Sequence, residues 1–193
     1  DPLRYYLIKE VSFGNDGNIS QNRLEDCINS DLANNFGNLC QRVTTFAEKN
    51  CLSKIPENKR FNDDDFKILN KFTNNLSTIR EEIDKQNINY YIDFIINSLF
   101  EANKYFNDQE PWKKKDDKDR LNTIVYTSLE IIRKVSYMLY PIIPETIEKT
   151  LKIFNLKPED ISLESIATHN YLESGNDLKK VGILFKKIEK KND

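Results

Sequence analysis

A chain of 193 residues with 38% apolar and 11% aromatic side chains is long enough to bury a core of large residues, which excludes a disordered polymer. Its formal charge of -2 excludes a globally basic surface, so any site for nucleic acid has to be assembled from local basic groups. No stretch approaches the roughly 20 apolar residues of a membrane span, and the N-terminus lacks a signal-peptide pattern. Cys27, Cys40 and Cys51 are odd in number and unclustered, which suits neither a complete disulfide framework nor a metal quartet and points to a reducing cytoplasm.

In chain order, PLRYYLIKE (2–10) has a helical pattern, and the chain is expected to be a piece of something longer, because it starts at Asp1 and runs straight into that pattern. The turn-rich FGNDGNIS (13–20) closes it. Leu24, Ile28, Leu32, Phe36, Leu39, Val43 and Phe46 then recur at threes and fours, predicting one long amphipathic helix from Gln21 to about Asn50. After a loop, Asn62 and the acids Asp63, Asp64 and Asp65 supply the cap and first turn of a second long helix. A third runs from about Ile88 to Asn107 and stops before Pro111. A fourth runs from about Asp117 to Tyr140, broken by Pro141 and Pro144, and a fifth covers Glu145 to Phe154. Val181 to Phe185 is the only plausible strand, beside a lysine-rich tail. The fold class is therefore an all-α antiparallel helix bundle.

Two stretches carry chemistry. In DLANNFGNLCQR (31–42), an ideal helix puts Arg42 about 70 degrees and Asn38 about 110 degrees from the centre of the apolar face, on the same side. The plain reading is a boundary arginine that bonds a neighbouring helix end; the sharper one is a pre-aimed set of donors. In NKYFNDQEPW (103–112), the single tryptophan follows a helix-ending proline and opens the basic run Lys113, Lys114, Lys115. A lone tryptophan is ordinarily a core residue, but an exposed indole beside lysines is a stacking platform for an unpaired base.

These stretches and their flanks resemble the methionyl-tRNA synthetase family over nearly the whole chain: LRYYLIKEVSFGNDGNIS, INSDLANNFGNLCQR, ANKYFNDQEPW and ILFKKIE are similar to successive parts of it, the second and third most specifically. The resemblance implies a stem-contact segment over 1–22, an anticodon-binding helical bundle over 23–155 and a C-terminal tail over 156–193. It implies that Asn38 and Arg42 read a cytosine at the first anticodon position, that Trp112 stacks on it, and that Asn103 and Asn107 support them. It further implies methionine tRNA and a catalytic domain of the same chain as partners. ATP and magnesium, with zinc in some members, belong to that catalytic part. The family signatures HIGH and KMSKS are absent here, and the first would need more than His169. No catalytic or metal-binding residue is therefore assigned, and residues 1–193 alone should activate no amino acid.

The remaining candidates read as structural. Cys40 is a small packing residue with no histidine nearby in sequence, and His169 a surface residue. Asp63 to Asp65 are a helix start, since three consecutive carboxylates point in different directions. Gln109 and Glu110 carry no separate role. The competing functions are the related bundle of another class I synthetase, or a helical protein-interaction module in which Trp112 is a hot spot.

Overall fold

The computed structural model describes residues 1–11, 14–17, 19–180 and 182–189. α1 spans Pro2–Glu10; a continuous helical rod follows as α2 (Gln21–Cys27), a π-helical stretch (Ile28–Gly37) and α3 (Asn38–Asn50). Then come α4 (Asp63–Asp84), α5 (Ile88–Asp108), α6 (Lys118–Leu139), α7 (Pro144–Leu151) and the short α8 (Leu163–Ala167). Of the opening turn, Phe13 and Asn18 lie outside the described residues, as does Val181 of the expected strand. Gly182 to Phe185 form no ladder, which corrects the strand expectation: Phe185 and in part Leu184 pack on the core while Ile183 is exposed.

The starts and stops follow local chemistry. Asn62 and Asp65 form a reciprocal capping box at the head of α4, so the acidic run is a helix start. Asn87 caps α5 through the Tyr90 amide, Asp117 caps α6 through that of Arg120, and Pro144 opens α7.

Contacts fix the directions. Cys51 meets Asn122, Asp65 meets Tyr105 and Arg120, and Arg42 meets Asn107. The end of α3, the start of α4, the end of α5 and the start of α6 therefore share one end of an up-down-up-down bundle, with buried α6 at its centre. At the other end α1 is pinned by Tyr5, whose hydroxyl donates to buried Asp31 at 2.9 Å, and by Lys9 on the same carboxylate.

The expected single α-helix from Gln21 to Asn50 is corrected in its middle. Leu24, Ile28, Leu32 and Phe36 are spaced by fours, which on an ideal helix drifts about 40 degrees per step. The wider π turn absorbs that drift and keeps Ile28, Leu32 and Phe36 buried on one face.

A second correction concerns His169, which is half-buried, with Nε2 2.7 Å from the Asn70 side chain. It sits by a cationic clasp. Arg133 donates to the carbonyls of Ser165 (2.7 Å) and Thr168 (3.1 Å), and Lys134 to those of Ile166 and Thr168. Glu130 accepts from Arg133 Nε and from the Leu172 amide. Both cations thus grip the carbonyl end of α8. Burial first, then the Arg133 charge, pushes the Lys134 ammonium down to about 7 from 10.5. Between about pH 7 and 9 the unfolded chain then holds a proton that the folded one has lost, so stability rises with pH. Above 9.0 the buried thiols, with Cys27 pushed up to about 12, oppose the trend. Lys134→Met is expected to flatten the rise in denaturation midpoint over that window; a profile parallel to the unmodified chain's would contradict the assignment.

Candidate nucleic-acid interface

At the shared end of the bundle the chain must leave α5 and turn into α6. Gln109 caps α5, Glu110 adopts a left-handed conformation (φ 43°), and Pro111 starts a single 3-10 turn that holds Trp112. The left-handed residue followed by proline stops the helix and swings the indole back over its last turn. Trp112 is 40% exposed, which overturns the core reading. Its ring meets buried Phe106 edge-on at 6.2 Å, and Phe106 meets Phe46 of α3 at 5.9 Å.

Arg42, half-buried, lies with Cζ 5.6 Å from the Phe106 centroid and donates to Asn107 Oδ1 at 2.5 Å. The plain reading of a boundary arginine bonding a neighbouring helix end is therefore correct as geometry. The bond takes one of its five N–H donors, and the aromatic floor fixes the guanidinium plane. Arg42, Gln41, Thr45, Lys49, Phe106 and Trp112 surround an open cleft of about 340 Å³.

The other expected residues fall differently. Asn107 lies beside the cleft as the brace of Arg42. Asn103 is turned inward: its amide donates to the Asn35 carbonyl (3.2 Å) and side chain (2.8 Å) and to the Leu99 carbonyl. It ties α5 to the π stretch. Asn38 is exposed one turn before Arg42 but lines an adjoining groove, and Gln41 lines both spaces.

Gln109 and Glu110, given no role above, build the corner. Gln109 donates to Asp64 at 2.9 Å and accepts from Arg120 at 2.6 Å. Glu110 supplies the left-handed turn and pairs with Lys113 at 2.7 Å. Beneath them buried Asp65 accepts a bidentate pair from Arg120 and a bond from Tyr105. Phe106 and Gln41 were also missed. Phe106 reads as an ordinary core position, and only the crossing of α3 and α5 puts it under Arg42 and Trp112.

Among the described residues no group of three His, Cys, Asp or Glu could hold a metal ion, and no helix is long and apolar enough to cross a membrane. Cys40 is fully buried and its thiol is pushed up by burial, as a packing residue requires.

Comparison with known proteins shows what the chain is similar to. Residues 55–193 match the family model described as the anticodon binding domain of methionyl tRNA ligase, and residues 1–44 match tRNA synthetases class I (M). The cleft draws on both spans, Arg42 from the second and Trp112 from the first. The chain is 38% identical to a methionine–tRNA ligase of Brucella suis over 92% of its own length and 35% of the relative's. It is 34% identical to that of Thermotoga maritima over 100% of its length and 31% of the relative's. The apo crystal structure of Mycobacterium tuberculosis methionyl-tRNA synthetase superposes with a TM-score of 0.91 at 30% identity, covering 98% of this chain and 39% of that one. The chain thus spans about a third of the length of these curated relatives.

Proposed function

The chain belongs to the family of methionyl-tRNA ligase anticodon-binding domains, and from that premise we propose that its cleft reads the CAU anticodon of methionine tRNA, with the first base, cytosine, stacked on Trp112. The observation that carries the reading is the half-exposed indole set edge-on to the ring that also seats Arg42. Stacking contributes about 1–3 kcal/mol per base and accepts any base, so selection falls to the polar groups. Cytosine offers acceptors at O2 and N3, which suit the donors of Arg42 and the Asn38 amide. Uracil puts an N–H at position 3, which faces those donors and leaves both sides unpaired. Asn107 holds Arg42 in place, and Asn103 fixes the helix behind it.

In this reading the amino-acid chemistry belongs to a catalytic domain of the same polypeptide, which attaches methionine using ATP. The three free thiols suit the reducing cytoplasm.

The test is titration of the chain with RNA hairpins that differ only in the first loop base of CAU. We expect weak binding, because few cations face the cleft, that weakens further as salt is raised, and a preference for cytosine of about tenfold, within the range of one polar base contact. Equal affinity for all four hairpins would overturn the reading.

A further inference from the structure

The adjoining groove is the part of the surface that the cleft does not explain. One wall is the helical rod at Asn34, Gly37, Asn38 and Gln41, and the other is the tail from Gly182 to Lys187; together they enclose about 380 Å³. The tail is fastened at two points. Phe185 is buried, with a ring carbon 3.6 Å from where a Cβ on Gly37 would stand, so the strap packs directly against the rod there. Further on, the Asn29 amide donates to the Ile188 carbonyl at 2.9 Å and its oxygen accepts from the Ile188 amide at 2.8 Å. That reciprocal pair is what a backbone would offer in a sheet, supplied here by one side chain.

Between the two fastenings stand Lys186 and Lys187, both exposed and both on the groove. Among the described residues neither is in an ion pair, whereas Lys180 earlier in the tail meets Glu48 at 3.5 Å. Gln41 lines this groove and the Trp112 cleft alike, so the two spaces adjoin along the rod.

We propose that the C-terminal tail is a second wall of the RNA site. The nucleotide next to the one on Trp112 lies further along the groove, between Gly37 and the tail, and Lys186 and Lys187 neutralise the phosphates that flank it. This rests on the reading of the cleft given above. Fixing the two lysines by Phe185 and Asn29 places charge on a backbone that must be held at a set distance from the base reader, which tethered but unfastened lysines would not do.

The test uses the chain and the CAU hairpin, with affinity measured across a salt series. Lys186→Gln with Lys187→Gln should weaken binding about tenfold, lower the log–log salt slope by about 1.4, and leave the cytosine preference and melting midpoint unchanged. Lys85→Gln, at the opposite end of α5, should leave affinity and slope unchanged; an equal loss there would mean general charge screening and overturn the proposal. An unchanged slope in the double variant while Trp112→Ala still weakens binding would overturn the tail's role and leave the cleft's intact. Weakened binding with an unchanged slope would make the tail a structural support only and also overturn it. If Trp112→Ala has no effect, or the unmodified chain does not bind the hairpin, the cleft reading falls and the proposal with it.

Discussion

Replacing Arg120 with methionine is expected to lower the unfolding free energy by about 3–5 kcal/mol, the cost of leaving a buried carboxylate without its cation. Asp65 is fully buried, and Arg120 meets both of its oxygens while also holding Gln109. The capping bond from the Asn62 amide survives the change, as does the bond from Tyr105, but neither brings a charge. Arg120→Lys should recover part of the loss, since it keeps the charge and gives up the two-pronged geometry. Denaturant midpoints check this, and a loss under about 1 kcal/mol would show that the pair is not what holds this end of the bundle. Hairpin binding should weaken as well, at temperatures where Arg120→Met is folded, because Gln109 immediately precedes the turn that carries Trp112.

Trp112→Ala is expected to cost about 1–3 kcal/mol in RNA affinity, for every first base alike, with a small change in stability. A fully buried tryptophan would instead cost about 3–5 kcal/mol of stability on truncation and show no dependence on the RNA. Arg42→Gln separates the two functions of the cleft: stacking on Trp112 persists, and the preference for cytosine over uracil should fall by about tenfold. Hairpin titrations and melting curves on both variants give the answer. A stable Arg42→Gln chain that keeps its cytosine preference would remove Arg42 from the readers. Retained affinity in Trp112→Ala would remove the stacking platform, whatever Arg42 does.

The sequence by itself determined the helices, because caps and apolar period are local. Asn62, Asn87 and Asp117 sit where a side chain can reach an amide three residues on, and the spacing of Leu121, Ile124 and Val125 needs no partner to be read. It also singled out Arg42 and Trp112 of the cleft and Asn38 of the adjoining groove, since a polar run beside an apolar stripe and a tryptophan after a helix-ending proline are visible in one dimension. The π stretch was not read from the sequence: the spacing of Leu24, Ile28, Leu32 and Phe36 passes for an α-helical stripe until packing selects the wider turn.

Only the tertiary structure decided which of these residues share a space. Asn103 and Asn107 lie one turn apart on α5. The crossing of α3 over α5 turns the first inward to Asn35 and sets the second against Arg42. Phe106 becomes the floor of the cleft through contacts with two other elements, and the tail reaches Asn29 and Gly37 across about 150 residues of chain. Such pairings depend on how helices pack, and packing follows from the summed fit of many side chains rather than from the period of any one segment. The same holds for Arg120 and Asp65, each ordinary as a charged residue near a helix start and costly to separate once both are buried.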